Sequence, residues 1–135
     1  MSFVLDASIA LAWAFPDESS SLADRAAQLL ESGRDGAIAP DVWWYEIRNI
    51  LLVGERRGRI SESDTILFLR QMAELRIELD STRDDTLMLS LGRKHRLTFY
   101  DAAYLALAVR EHLALATLDK NLAAAAIAEN VPILA

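Results

Sequence analysis

Four acidic residues of this 135-residue chain stand in or beside apolar stretches, where an unpaired charge is costly. Asp6 follows the apolar run 3–5, and Asp119 follows the run 113–118. Both runs are typical of short buried strands. Ligands of an open parallel α/β sheet bind beyond the carboxyl ends of its strands, so the two aspartates are predicted to meet at one edge of the sheet.

The other two acids lie on predicted helices. Glu46 falls within the apolar face of its helix, with Asn49 one turn away, so its carboxylate is expected to point toward the core. Asp101 opens a helix that is apolar on nearly every face and is therefore predicted to be buried. Structural alternatives stand beside these interpretations. Asp6, Asp101 and Asp119 could simply cap the helices that follow them. Glu46 could form a buried ion pair with an arginine.

Carboxylates that converge at one site repel each other unless protons or a cation intervene. A hard divalent cation with oxygen ligands is the simplest resolution. Ser8, Thr117 and Asn121 carry short polar groups beside Asp6 and Asp119. These groups could orient the carboxylates, or they could simply bond the local backbone.

The basic residues are weaker candidates for function. His95 and His112 lie in charged surroundings and are interpreted as solvated. Two basic clusters end predicted helices, where the helix dipole favours cations in any case. These clusters are Arg56, Arg57 and Arg59, and Arg93, Lys94 and Arg96. Neither GxGxxG nor GxxxxGK occurs, so no glycine pattern predicts a loop that cradles phosphate.

The composition limits the classes of function. A formal net charge of −6 argues against a nucleic-acid partner, because phosphate binding normally draws on surplus Lys and Arg. Bound cations at an acidic site would invert that field locally and weaken the objection. The absence of cysteine excludes disulfides and thiolate zinc sites. No signal-peptide pattern opens the chain, and its longest apolar stretch, 102–109, is too short to span a membrane. We therefore expect a soluble cytoplasmic protein without a membrane partner.

The elements that must position these residues alternate along the chain. Strands are predicted at 2–6, 37–39, 77–79, 114–118 and 131–134. Helices are predicted at 8–14, 21–32, 41–57, 61–75, 82–94, 101–112 and 120–128. No repeat, linker or low-complexity tract interrupts this order, which predicts one α/β domain over residues 1–135 with a mainly parallel sheet.

Four segments together resemble the PIN domain, and most closely the VapC toxins of toxin–antitoxin pairs. They are VLDAS at 4–8, EIRN at 46–49, YDAAYLALA at 100–108 and ATLD at 116–119. The resemblance implies a three-layer α/β/α sandwich that cleaves RNA with Mg²⁺ or Mn²⁺. It carries the acidic metal site of the family onto Asp6, Glu46, Asp101 and Asp119.

The same resemblance maps supporting hydroxyls onto Ser8 and Thr117. It also implies a homodimer whose activity is inhibited by a cognate antitoxin. Many family members carry a further acid where this chain has Asn121, so the number of bound metals stays open.

Two readings from other classes compete with this one. A phospho-acceptor receiver domain would show paired acids after the first strand, whereas Asp6 stands alone and Lys120 comes only after Asp119. The full set of four acids argues against a PIN-like binding protein that lacks activity.

The helix 41–57 is also predicted to carry a contact surface for a second copy or an antitoxin. Tyr45 and Leu52 lie away from its core face, near Arg48 and Arg56. In the alternative, the helix 61–75 covers both residues within one chain.

Overall fold

The computed structural model of the protein describes residues 2–135. Its centre is a fully parallel sheet with the strand order β3-β2-β1-β4. The strands are β1 (Ser2–Leu5), β2 (Gly36–Pro40), β3 (Ile77–Asp80) and β4 (Ala114–Ala116). Leu5 lies opposite Ala116, and the Asp6 amide extends this ladder by donating to the Ala116 carbonyl at 3.0 Å. The residues that follow β1 and β4 therefore lie side by side at the carboxyl edge of the sheet.

Seven α-helices connect and cover the strands of residues 2–135, and a short 3-10 turn at Pro16–Glu18 follows the first of them. The helices are α1 (Ala7–Ala14), α2 (Ser21–Glu31), α3 (Val42–Arg56), α4 (Glu62–Glu74), α5 (Asp85–His95), α6 (Phe99–Glu111) and α7 (Lys120–Ala128). The architecture is the three-layer α/β/α sandwich that the sequence predicted. Within residues 2–135, none of these helices is long and apolar enough to cross a lipid bilayer.

The core lies where α6 packs against β1 and β2. The segment 104–108 of α6 is fully buried, as its all-round apolar sequence predicted. Val4 and Leu5 of β1 are also inaccessible to solvent. This central position of α6 carries Asp101 and Tyr104 toward the edge of the sheet where β1 ends.

The start of α6 differs from the prediction. The helix begins at Phe99 instead of Asp101, because the Thr98 hydroxyl accepts the Asp101 amide at 3.1 Å and supplies the cap. Asp101 is therefore a residue of the first turn, and its carboxylate is not the cap. In the same way α5 begins at Asp85 and not at residue 82, because Asp84 caps it by accepting the Leu87 amide at 3.0 Å.

The predicted strand 131–134 is reduced to one bridge between Leu115 and Ile133. The Leu115 amide donates to the Pro132 carbonyl at 2.9 Å, and the Leu134 amide donates to the Leu115 carbonyl at 3.0 Å. Pro132 has no amide hydrogen to extend the ladder. The edge beyond β4 is therefore covered by a short segment and not by a regular strand.

Candidate active site

Asp6 is a nearly buried carboxylate, 6% exposed, at the end of β1. Its Oδ2 accepts the Ser8 hydroxyl at 2.6 Å and the Thr117 hydroxyl at 2.7 Å. It stands at the N-cap position of α1 but makes no capping hydrogen bond, so the capping alternative is wrong for this residue. Burial raises the pKa of Asp6, and the hydrogen bonds from Ser8 and Thr117 offset part of that rise.

Ser8 and Thr117 also tie the ends of β1 and β4 together. The Ser8 hydroxyl accepts the Leu118 amide at 2.9 Å, and the Thr117 hydroxyl accepts the Asp119 amide at 3.0 Å. The two hydroxyls therefore bond the site carboxylate and the local backbone at once, so both of their predicted roles are realised.

Asp119 does cap α7. Its Oδ1 accepts the amides of Asn121 and Leu122 at 2.9 and 3.0 Å. The carboxylate is thereby fixed at the start of the helix, where the helix dipole favours its negative charge. Only one of its two oxygens is used in the cap.

Glu46 meets a tyrosine instead of the arginine of the ion-pair alternative. Its Oε1 accepts the Tyr104 hydroxyl at 2.6 Å, and no cation pairs with it within residues 2–135. Burial raises the pKa of Glu46, the charges of Asp6 and Asp101 raise it further, and the Tyr104 hydrogen bond opposes them. Burial also raises the pKa of Tyr104 far above its usual value, so its hydroxyl stays protonated and able to donate.

The charges of the four acids act on one another across four elements of the fold. Burial raises the pKa of Asp101, and the charges of Asp6 and Asp119 raise it further. Glu46 is linked to Asp6 and Asp101 in the same way. The acids thus form one electrostatic group at the carboxyl ends of β1 and β4.

The described residues 2–135 nevertheless contain no group of three or more acidic or histidine side chains close enough to hold a metal ion as arranged. One shared coordination site therefore stays a prediction.

The donor chemistry fits a hard divalent cation. Three carboxylates are each anchored through one oxygen, Oδ2 of Asp6, Oε1 of Glu46 and Oδ1 of Asp119. Their second oxygens stand outside these bonds. With no cysteine in the chain, the donors are oxygens, which suit Mg²⁺ or Mn²⁺.

The remaining predicted side chains lie at the margin of the site. Asn121 is exposed and contributes its backbone amide to Asp119, and its side chain borders a separate cavity with His95 and Arg96. Asn49 is exposed and borders a groove with Arg57. Within residues 2–135, neither amide side chain hydrogen-bonds to any of the four carboxylates.

The prediction for His95 was wrong, because its ring is mostly buried and bonds to Glu129. His95 Nε2 lies 2.6 Å from Glu129 Oε2, which also accepts Lys94 Nζ at 2.7 Å. These bonds hold the pKa of Glu129 below its usual range. His112 is exposed, as expected for a solvated residue.

Comparison with known proteins gives three findings. The family model described as "PIN domain" matches residues 3–128. A curated protein of Pyrobaculum aerophilum named Ribonuclease VapC3 is 34% identical over 128 residues, which cover 91% of this chain and 93% of that protein. The crystal structure of PAE2754 from Pyrobaculum aerophilum superposes with a TM-score of 0.72 at 21% identity, over 93% of this chain and 84% of the other. This structural match shows the same fold.

Proposed function

This chain belongs to the PIN-domain family, and from that membership we propose that it is a metal-dependent endoribonuclease and the toxin of a toxin–antitoxin pair. The observation that carries the proposal is the placement of the acids: Thr117 bonds both Asp6 and the Asp119 amide at the adjacent ends of β1 and β4. Glu46 is held by Tyr104, one turn after Asp101 on α6. Ligands bind at this edge in parallel α/β sheets. The name of the 34% identical relative supports RNA as the substrate class.

Asp6 and Asp119 would be direct ligands of Mg²⁺ or Mn²⁺, and Asp101 would bind directly or through a water molecule. A bound divalent cation supplies an activated water and shields the charge that develops on the phosphate. Mg²⁺ suits a site of few carboxylates, because it keeps several of its waters.

The chain's own contribution is to orient these groups before substrate arrives. Ser8 and Thr117 hold the Asp6 carboxylate, the helix cap holds Asp119, and Tyr104 holds Glu46. Glu46 would be a further ligand or would orient the attacking water. Either role would use the Glu46 oxygen that the Tyr104 hydrogen bond leaves free.

A cleavage assay with a matched pair of variants tests this function. Purified protein with Mn²⁺ should cut single-stranded RNA to leave 5′-phosphate and 3′-hydroxyl ends. A metal-activated water does not require the neighbouring 2′-hydroxyl, so no cyclic phosphate should form. Asp6→Asn should abolish cutting, whereas Asp24→Asn, an acid in the first turn of α2, should cut normally.

Activity that survives both EDTA and Asp6→Asn would contradict the mechanism. The two other readings also predict distinct results. Labelling of the protein by a small phosphodonor would favour a receiver-like domain, although the burial of Asp6 speaks against an accessible acceptor. RNA binding without cleavage under any divalent metal would favour an inactive PIN-like protein.

We further propose a cognate antitoxin and a second copy of this chain as protein partners, with the cytoplasm as the compartment where toxin, antitoxin and RNA meet. Exposed apolar residues of α3 supply a surface for one of these partners. Light scattering measures whether the chain self-associates through this surface.

A further inference from the structure

A cavity of about 170 Å³ opens at the carboxyl ends of β2 and β3, beside the acidic site. It shares two helices with that site. Val42 lines the cavity one turn before Glu46 on α3, and Tyr100 lines it directly before Asp101 on α6. When a nucleic-acid strand places a phosphate at the acids, a neighbouring nucleotide of that strand can therefore reach this cavity.

Two exposed aromatic residues are among those that line the cavity. Phe99 is 45% exposed and Tyr100 is 59% exposed, although the segment of α6 that follows them is largely buried. Met88 and Ala103 add apolar side chains to the same lining. Exposed aromatic side chains beside an apolar surface are what single-stranded RNA uses, because unpaired bases stack on them.

The size of the cavity selects one planar group. Pockets for drug-sized ligands start at about 300 Å³. The observed volume of about 170 Å³ is smaller, so it suits a single ring system such as a base and not a folded peptide segment.

The polar side chains of the cavity favour a base that presents hydrogen-bond donors. The Asp80 carboxylate forms an ion pair with Arg110 at 2.7 Å, and the Asp41 carboxylate forms one with Arg83 at 3.0 Å. The carboxylate of Asp85, an exposed acid in the first turn of α5, makes no hydrogen bond or ion pair within residues 2–135. A carboxylate accepts two adjacent N–H donors, and guanine presents such a pair in its N1–H and N2–H groups.

We propose that this cavity binds one unpaired guanine of the RNA substrate, with the base against Phe99 and Tyr100 and its N–H donors on Asp85. The proposal rests on the proposed ribonuclease function and adds a residue-level source of sequence preference to it. The expected role of Asp85 and Tyr100 is to position substrate, so neither is needed for the chemistry at the acids.

The first test is a map of cleavage sites on a random RNA pool, read by sequencing of the 5′ ends. Wild type should show guanine enriched at one fixed position beside the cut. Asp85→Asn and Tyr100→Ala should each reduce that preference by about tenfold, the scale of one good base contact, while cutting of other sequences persists. Matched controls are Asp64→Asn, an acid in the first turn of α4, and Ile127→Ala, an exposed apolar residue of α7, and both should keep the preference.

The second test needs neither metal nor activity. The amide NMR spectrum of the metal-free protein should shift around Met88, Tyr100 and Ala103 on addition of guanosine monophosphate, and less on addition of adenosine monophosphate. Tyr100→Ala should remove these shifts.

The outcomes separate this inference from the proposed function. RNA cutting without guanine preference, together with no response to guanosine monophosphate, would overturn the inference alone. A guanosine response in a protein that cuts no RNA would support base binding and overturn only the proposed activity. If Tyr100→Ala instead changes the oligomeric state in light scattering, the cavity is a protein contact and the inference is wrong.

Discussion

At the residue scale, the Tyr104 hydroxyl makes a contact with Glu46 that the sequence did not predict. The positions of the four acids, of Ser8 and of Thr117 beside strand ends or on an apolar helix face made them candidates. The structure joins Ser8 and Thr117 to Asp6, and the shared site of the four acids stays a prediction. Tyr104 was missed as a site residue, because a tyrosine in an apolar helix is normally read as core. Only the crossing of α6 and α3 brings its hydroxyl to Glu46, and no local pattern encodes that contact. A buried hydroxyl placed one turn after a site acid was the available signal.

Tyr104→Phe should lower cleavage activity by about 10–100-fold with little change in fold, because it removes one orienting hydrogen bond and keeps the ring. The measurement is kcat/KM on one RNA with Mn²⁺, beside a thermal melt followed by circular dichroism. Tyr45→Phe, at an exposed position on α3, is the control and should be silent. Full activity of Tyr104→Phe would show that Glu46 does not depend on this bond.

Glu46→Gln should raise the melting temperature of the metal-free protein by a few degrees. The variant removes a charge that Asp6 and Asp101 repel, and its amide oxygen still accepts the Tyr104 hydroxyl. The pKa of Glu46 is higher in the folded chain than in the unfolded chain, so the folded chain binds more protons. The stability that this group contributes is therefore full below its unfolded pKa and falls as pH rises through the folded value.

Melts in EDTA across the acidic to neutral range check that sign, with Glu55→Gln on the same helix as control. In Mn²⁺ the order should reverse, since a metal that binds the folded state stabilises wild type more than a variant with one ligand charge fewer. Equal melting temperatures of wild type with and without millimolar Mn²⁺ would count against a preformed site.

At the element scale, the helices could be predicted to within a few residues, and their caps decide where the boundaries differ. Thr98 and Asp84 start α6 and α5 through side-chain bonds to the backbone, and a nearby acid or threonine offered an equally good cap on sequence alone. The last strand could not be predicted correctly, because its apolar residues pack on β4 without a regular ladder. Periodicity reports burial, and it does not report which backbone groups find partners.

The glycines Gly54 and Gly92 give opposite predictions for the same substitution. A Cβ on Gly54 would lie 2.7 Å from Phe15 Cζ, and the Arg59 guanidinium covers that ring at 4.1 Å, so the ring has little room to move. Gly54→Ala should therefore destabilise the protein by about 1–3 kcal/mol. A Cβ on Gly92 would meet only ordinary contacts of 3.5 Å and longer, so Gly92→Ala should be neutral or stabilise α5 by up to about 1 kcal/mol.

Urea unfolding of the two variants beside wild type measures both effects with one method. Equal stability of Gly54→Ala and wild type would mean that the Phe15 ring can move away from α3 enough to admit a methyl group.

At the scale of the whole molecule, the alternation of strands and helices was enough to predict an α/β domain with a mainly parallel sheet, and the three-layer arrangement was implied by the resemblance to the PIN domain. The same alternation could not predict which helix faces stay open. The alternative in which the helix after α3 covers Tyr45 and Leu52 was wrong, because these residues remain 69% and 46% exposed. Ile66 and Leu67 on α4 are exposed as well, so α4 adds apolar surface instead of covering it.

The exposed face of α3 leads to the prediction that the protein self-associates. Aromatic residues and arginine are enriched in interface cores. Here the Arg48 guanidinium stacks over the Trp44 ring at 3.8 Å, and the Tyr45 ring lies beside Trp44. Wild type should therefore be a dimer in light scattering, and Tyr45→Glu/Leu52→Glu should be a folded monomer, because two buried charges would oppose the contact. Ile127→Glu, at an equally exposed apolar position on α7, is the control and should leave the dimer intact. A monomeric wild type at high concentration, or a double variant that unfolds instead of dissociating, would show that this face serves another purpose.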